Sequence, residues 1–217
     1  LVRYLTPEEV GLVVYLEALM LACGRFFPMG LGLAVRRFYG EIPDQAVADA
    51  YSRMIWLVTI GLGLAGFLFF GALVSAFPRA ISAHVSSGLL LLTLAAGALR
   101  CAQAVPMQRF IARGQAKQHC AVEFLEMAST VALIICLVVV AGWGIQGYLW
   151  GSIVSAAVWM FVYWLMLTRD SSAEINFSRL GPSLKYSLPL WPHLLFTWAI
   201  TFADRLVLER LVPLSEV

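Results

Sequence analysis

Long apolar runs alternate along the chain with short polar segments. Six runs reach the roughly 20 residues that a helix needs to cross a hydrocarbon core of about 30 Å. Runs such as 89–92 and 133–140 are apolar at every position and lack the alternation of membrane β-barrel strands. The pattern therefore predicts an all-α fold, a polytopic transmembrane helical bundle, with spans at 11–34, 54–77, 85–108, 120–142, 145–168 and 186–208.

Glycine and proline residues predict where these helices turn, break and pack. Residues 142–144 separate two adjoining runs, which must form a tight helical hairpin. Pro28 in the first run, and Pro189 with Pro192 in the last, interrupt the helical hydrogen-bond ladder. In transporters such broken helices tend to border the substrate path. A stripe of small residues that permits close helix packing follows the hairpin: Gly147, Gly151 and Ser155.

The composition excludes a soluble domain. Of 217 residues, 61% are apolar and 13% charged, and the mean hydropathy is +0.83. A soluble domain carries about 25% charged residues and could not hide so much apolar surface. The net charge of +2 is too small to indicate a nucleic-acid partner. The four cysteines lie in apolar runs without paired spacing, so we expect small hydrophobic side chains rather than disulfides or a zinc site.

The basic residues divide unequally between the two sets of loops. Segments 35–53, 109–119 and 169–185 together carry nine Arg and Lys residues, whereas the loops of the other set carry three. Cytoplasmic loops are enriched in basic residues. We therefore predict that these three segments are cytoplasmic and that the first span runs inward.

A weak internal repeat predicts the domain organisation. Residues 1–10 align with 208–217, matching at Leu, Arg, Glu and Val, and six predicted crossings separate the two copies. An even number of crossings gives both copies one orientation, as in parallel repeats. We expect a fragment of a longer chain: an N-terminal lobe over 1–168 holding helices two to six, a cytoplasmic linker over 169–185, and the first helix of a second lobe with its outer loop over 186–217.

Charged residues inside spans are costly and indicate function. Arg25 lies fourteen residues from one end of the first span and nine from the other, about 21 and 13 Å along the helix, too deep to reach the membrane surface. It lines a wet cavity or is a structural Arg held by backbone carbonyls or a carboxylate. Arg100 belongs to the same cavity or to an interhelical contact. Arg36 and Arg37 either belong to the basic residues that fix the orientation of the span or lie at the inner mouth of the cavity.

Several other polar residues have two interpretations. Asp204 is an ion-coupling carboxylate or a helix contact, and Glu17 lies two turns before Arg25 on the same helix. His193 favours an interfacial position over a proton relay. Carboxylates at 123 and 126 suit the first turn of the helix at 120–142. The chain shows no nucleotide loop, metal-ligand cluster or nucleophile triad, so we predict neither an enzyme nor a cofactor.

Four segments resemble the bacterial polysaccharide, or O-antigen, flippases of the multidrug/oligosaccharidyl-lipid/polysaccharide (MOP) exporter superfamily. The segment RYLTPEEVGLVVY is similar to their outer loop before helix two, and PMQRFIARGQAKQ to the end of helix four. FSRLGPSLKYSLPL and ADRLVLERLVPLSEV are similar to the two ends of helix seven and its flanking segments. The resemblance extends over the whole chain, in order, as helices two to seven.

The resemblance implies a MATE-like fold that flips undecaprenyl-diphosphate-linked oligosaccharide across the bacterial inner membrane by alternating access, for polysaccharide or lipopolysaccharide biosynthesis. Guanidinium groups pair well with phosphate, so Arg25 and Arg100, with Arg36 and Arg37, would hold the diphosphate. Asp204 or Glu17 would couple transport to H⁺ or Na⁺. Expected partners are the lipid-linked oligosaccharide, membrane lipids, and a polysaccharide polymerase or glycosyltransferase.

Two alternatives remain open. A cation-coupled multidrug exporter of the same superfamily would need acidic and aromatic cavity residues, whereas the deep charges here are mainly Arg. A non-transporting membrane scaffold of glycan assembly would need no polar cavity. Arg25 and Arg100 sealed in dry helix contacts would favour the scaffold.

Overall fold

The computed structural model describes residues 6–77, 85–169 and 174–211, and its regular structure over these ranges is helical. The all-α fold is therefore confirmed. Single 3₁₀ turns at Tyr39–Glu41, Cys101–Gln103 and Phe177–Arg179, and a π turn at Cys136–Val140, extend or join the helices. The α-helices are α1 (Pro7–Phe26), α2 (Leu31–Phe38), α3 (Gln45–Ala76), α4 (Ser87–Arg100), α5 (Ala104–Ala112), α6 (Ala116–Ile135), α7 (Gly144–Arg169) and α8 (Leu180–Leu211).

The helices confirm a multi-pass membrane protein. Within the described ranges, four helical stretches are long and apolar enough to cross a membrane: Gln45–Ala76, Ser87–Ala112, Ala116–Val140 and Gly144–Arg169. The pair Pro7–Phe26 and Leu31–Glu41, bent by 46°, makes a fifth if it is one span. The sixth predicted span lies in the 32-residue α8, which is not among these stretches.

The first span breaks where its proline predicts. α1 ends at Phe26, and Pro28 lies in the short segment before α2. Met29 and Gly30 adopt left-handed φ angles of 49° and 73°, which reverse the helical path locally. The indole N–H of Trp191 in α8 donates to the Phe26 carbonyl at 3.0 Å. The same carbonyl accepts from the Met29 N–H at 3.2 Å, so the indole adds a second donor from another helix at the break.

The prediction that Pro189 and Pro192 break the last helix is wrong. Both lie inside α8, which is continuous over 32 residues. The fixed φ of proline, near −65°, is itself helical. Two missing N–H donors therefore weaken the ladder without ending the helix. α8 packs against α1 and α2, and its assignment to a second lobe stays a prediction.

The predicted polar loops are shorter than expected. α3 begins at Gln45, nine residues before the predicted start of that span at 54, and the Asp44 side chain caps it by accepting from the Ala46 N–H at 2.8 Å. Segment 109–119 also contains the end of α5 and the start of α6. The boundaries were misplaced because a helix starts at its cap, whereas hydropathy rises only where the chain enters the membrane.

The predicted hairpin and small-residue stripe are both present. Gly142 and Gly144 have φ angles of 70° and 53° between α6 and α7. A Cβ atom on Gly151 would lie 3.0 Å from Ile134 of α6, so the glycine permits that approach. At the third position of the stripe, the Ser155 hydroxyl is 2.5 Å from that of Thr130.

Candidate functional site

A polar cavity of about 400 Å³ opens where the first span breaks. Its wall is formed by α1, α2, α5, α6 and α8, with Arg100 of α4 and the turn that follows it. Pro28, Gly30 and Gly32 contribute the broken segment itself. The polar side chains that line it are Arg25, Arg100, Gln103, Gln108, His119 and Glu123.

The structure brings Arg25 and Arg100 to this one cavity. Arg25 lies in the last turn of α1, and Arg100 is the last residue of α4. The carbonyl end of a helix carries partial negative charge, which stabilises the cation at Arg25. Neither guanidinium forms a hydrogen bond or a salt bridge with any residue in the described ranges. Two guanidinium groups therefore remain available to a ligand.

A hydrogen-bonded carboxylate lies behind Arg100. Glu126 accepts from the Gln103 amide at 3.0 Å and from the Tyr163 hydroxyl, and it interacts electrostatically with Arg100. The prediction that this glutamate lies in the first turn of its helix is wrong, because α6 begins at Ala116. The side chain is instead half-buried, three turns into the helix and facing α4 and α7.

Three other polar groups complete the cavity wall. Glu123 lies one helical turn before Glu126, and its Oε2 is 3.8 Å from Nε2 of His119. The side-chain amide oxygen of Gln108, Oε1, is buried and has no hydrogen-bond partner in the described parts of the chain. A buried acceptor without a partner is costly, and the cavity lies beside this residue.

Arg36 and Arg37 lie outside the cavity lining. Arg36 and Arg37 are exposed near the end of α2, one turn beyond Gly32 and Leu33 of the cavity wall, and Arg37 pairs with Glu41 at 2.9 Å. Both arginines therefore lie next to the cavity rather than in its wall.

One of the two predicted coupling carboxylates, Glu17, is not part of the cavity lining. Glu17 is half-buried in α1 and interacts with Tyr148 of α7. The side chain of Asp204 lies outside the described residues, so its proposed role stays a prediction.

A buried ionic network at the start of α3 was not predicted from the sequence. Asp49 is 1% exposed and accepts from Arg109 Nη2 at 2.9 Å and from Arg113 Nη2 at 2.6 Å. The Tyr39 hydroxyl donates to Asp49 at 2.6 Å and accepts from Arg113 Nε at 2.6 Å. Both arginines were assigned to a cytoplasmic loop; they lie instead at the end of α5 and just beyond it. The capping residue Asp44 was the available signal, because it predicts a helix through 45–53.

Solved structures share this fold. One is an outward-facing multidrug resistance MATE family transporter of the MOP superfamily, with a TM-score of 0.68 and 19% identity over 91% of this chain and 48% of that one. Another is a MOP superfamily transporter from Pyrococcus furiosus, described as having a binding pocket of reverse polarity. It has a TM-score of 0.67 and 19% identity over 93% of this chain and 48% of that one. The present chain thus spans about half the length of each.

The sequence comparisons give the family. No curated protein matches the sequence significantly. The polysaccharide biosynthesis protein family matches it from residue 1 to residue 217. The chain therefore belongs to the polysaccharide biosynthesis protein family, and its fold is that of MOP superfamily transporters.

Proposed function

We propose that this chain is part of a transporter that moves undecaprenyl-diphosphate-linked oligosaccharide across the bacterial inner membrane, and that the cavity of Arg25 and Arg100 binds the diphosphate. The observation that carries the proposal is that two guanidinium groups from different helices line one cavity, and that neither forms a hydrogen bond or salt bridge within the described ranges. A cation inside a span is costly unless something compensates it. A phosphate ligand would provide that compensation.

The chemistry of the lining suits a glycosylated diphosphate. Guanidinium presents a planar set of donors that pairs bidentately with phosphate oxygens. The amides of Gln103 and Gln108 provide donors and acceptors for sugar hydroxyls, and the Gln108 acceptor is unused. Arg36 and Arg37, next to the cavity, would draw the anionic lipid towards it.

Alternating access fits the broken first span. The segment around Pro28 separates two rigid helices at an angle of 46° and also lines the cavity. A change in that angle would move Arg25 relative to Arg100, because the two residues lie on different helices. Binding at the cavity and movement of the helices would then be linked.

Coupling to H⁺ or Na⁺ needs a carboxylate that senses the cavity. Glu17 and Asp204 are the residues that the sequence suggests, and the geometry adds Glu126. Its carboxylate interacts with Arg100, so neutralising Glu126 with a proton or a cation would increase the net positive charge that a phosphate meets. Ion binding and substrate binding would therefore favour one another.

A multidrug exporter is the second candidate, because Glu123 lines the same cavity and one of the structures that share the fold is a multidrug transporter. A cationic drug would meet two guanidinium groups there and be repelled. The substrate charge therefore separates the two functions. Drug export that persists or rises on removing the arginines, with unchanged glycan export, would favour the multidrug transporter.

The test is made in cells that carry the complete protein. We expect Arg25→Ala and Arg100→Ala each to lower export of lipid-linked oligosaccharide at least about tenfold, because each removes one charge-assisted contact of about 1.5–3 kcal/mol. Lipid-linked precursor should accumulate in both variants. Arg169→Ala, which removes an exposed arginine at the end of α7, is the matched control and should export normally. Normal export by both cavity variants would refute the proposal, and purified protein that moves no lipid would favour the scaffold.

A further inference from the structure

An apolar cavity lies on the opposite side of α1 from the polar cavity. Its volume is about 300 Å³, and its wall comes from α1, α3 and α4 with Leu195 of α8. The rings of Phe26, Phe27 and Phe70 lie together in this wall, with centroids between 5.9 and 6.2 Å apart. The cavity is therefore aromatic near the break in the first span.

The lining of this cavity offers water almost nothing to bind. Thr93 is the hydroxyl-bearing residue of the described lining. It is 1% exposed, and its hydroxyl donates to the Leu89 carbonyl at 2.7 Å. The hydroxyl is therefore already paired within its own helix. A cavity without free polar partners excludes water and accepts hydrocarbon.

A second apolar cavity of about 390 Å³ continues from the first between α1 and α8. Phe26 and Leu195 line both cavities, and Phe196 and Ala199 carry the second one further along α8. We call the two cavities together the apolar groove. It forms a continuous apolar surface along the contact of α1 with α8.

The apolar groove and the polar cavity meet at one turn of the chain. Arg25 and Pro28 line the polar cavity, whereas Phe26 and Phe27, between them in sequence, line the apolar groove. On α8, Leu194 lines the polar cavity, and the next residue, Leu195, lines the apolar groove. A cationic site and a dry apolar site are thus adjacent. Together they suit an anionic lipid, whose charged head would bind the first and whose hydrocarbon chain would bind the second.

We propose that the apolar groove holds the phosphate-proximal hydrocarbon of the transported lipid while its diphosphate lies against Arg25 and Arg100. The inference rests on the proposed function and adds the position of the lipid chain. The transported lipid is the occupant because the groove adjoins the guanidinium pair, which complements a diphosphate head. A resident membrane phospholipid would fill the groove irrespective of chain length on the diphosphate ligand.

The experiment measures binding of diphosphates that differ only in their hydrocarbon. The complete protein, in nanodiscs of zwitterionic phospholipid, is titrated with inorganic pyrophosphate and with geranyl, farnesyl and geranylgeranyl diphosphate. Each buried methylene group tightens binding about fourfold. We expect affinity to rise with chain length by at least about tenfold from pyrophosphate to farnesyl diphosphate, and to level off once the groove is full.

Variants of the groove should remove this gain without changing pyrophosphate binding. Thr93→Phe fills the groove, and Phe70→Ala takes away its aromatic wall without adding bulk. Thr93→Val keeps the volume and should retain the gain. Leu68→Phe adds a ring at a position of α3 that is 61% exposed and outside the groove lining, and it should behave as wild type. Unchanged pyrophosphate binding shows in each case that the fold is intact.

Three results would overturn the proposal. One is a chain-length gain that persists in both Thr93→Phe and Phe70→Ala. Another is a loss of pyrophosphate binding equal to the loss of prenyl diphosphate binding. The third is removal of the gain by added anionic phospholipid, which would identify a resident lipid. The proposed function fails by a separate result, pyrophosphate binding that survives Arg25→Ala with Arg100→Ala. Failure of the groove proposal leaves that arginine dependence in place.

Discussion

Asp49 of α3 accepts two hydrogen bonds from Arg109 of α5, from Nε at 3.1 Å and from Nη2 at 2.9 Å, at a position where the aspartate is 1% and the arginine 5% exposed. Arg113 and Tyr39 complete the network, so the ends of α2, α3 and α5 are joined by charge and hydrogen bonds. Gln108, the neighbour of Arg109 in sequence, lines the polar cavity. The network therefore holds in place the helices that carry part of the candidate site.

Neutralising Asp49 should destabilise the protein strongly. Asp49→Asn keeps the shape of the side chain but leaves a buried arginine without its counter-charge, a change that costs about 3–5 kcal/mol. We expect a clear fall in the Tm of the complete protein in detergent. Glu41→Gln is the control, because its partner Arg37 is exposed and such pairs contribute at most about 1 kcal/mol. Equal Tm values for the two variants would contradict the structural role.

The hydrogen bond across the break of the first span should contribute modestly to stability. Trp191→Phe keeps a ring against Phe26, where the centroids are 4.7 Å apart, but removes one of the two donors to the Phe26 carbonyl. The expected loss is about 1 kcal/mol in the free energy of unfolding. Trp143→Phe, at a position that is 56% exposed, should lose less. Thermal unfolding measures both, and a greater loss at 143 would argue against the contact.

The wall of the polar cavity depends on a glycine. A Cβ atom on Gly32 of α2 would lie 2.6 Å from the Ala104 carbonyl oxygen of α5. Gly32→Ala should therefore push the two helices apart at a cost of about 1–3 kcal/mol and weaken substrate binding, since both residues line the cavity. Gly61→Ala, where no atom lies within 4 Å, should be neutral or stabilising. A harmless Gly32→Ala in unfolding and transport assays would show that this approach is not needed.

Glu126 should govern ion coupling. Glu126→Gln mimics the neutral carboxyl permanently, so we expect transport that no longer responds to an imposed H⁺ or Na⁺ gradient. Tyr163→Phe removes one hydrogen bond to the carboxylate and should shift the response without abolishing it. Glu174→Gln, an exposed position before α8, serves as the control. A gradient response in Glu126→Gln equal to that of wild type would remove this glutamate from the coupling step.

Features set by local sequence were predictable. The break at Pro28 and the turn at 142–144 depend on residues that restrict or free the backbone, so the structure has both where expected. The cost of a charge inside a span also singled out Arg25 and Arg100 before any contact was known.

Features set by packing were not predictable. The polar stretch 45–53 is helical and buries Asp49, because two arginines distant in sequence compensate its charge. Glu126 likewise faces partners on α4 and α7 rather than a helix end. Hydropathy reports where a chain is apolar; it does not report which polar residues find one another across helices.

The central claim is that Arg25 and Arg100 recognise the diphosphate of a lipid-linked oligosaccharide. The most direct measurement is the flipping rate, in proteoliposomes of the complete protein, of a diphosphate-linked lipid sugar and of the same lipid sugar with a neutral linker. We predict that wild type prefers the diphosphate form at least about tenfold, the effect of one charge-assisted contact, and that the Arg25→Ala, Arg100→Ala double variant loses the preference. Equal rates for both lipids in wild type, or a preference that survives in the double variant, would contradict the account.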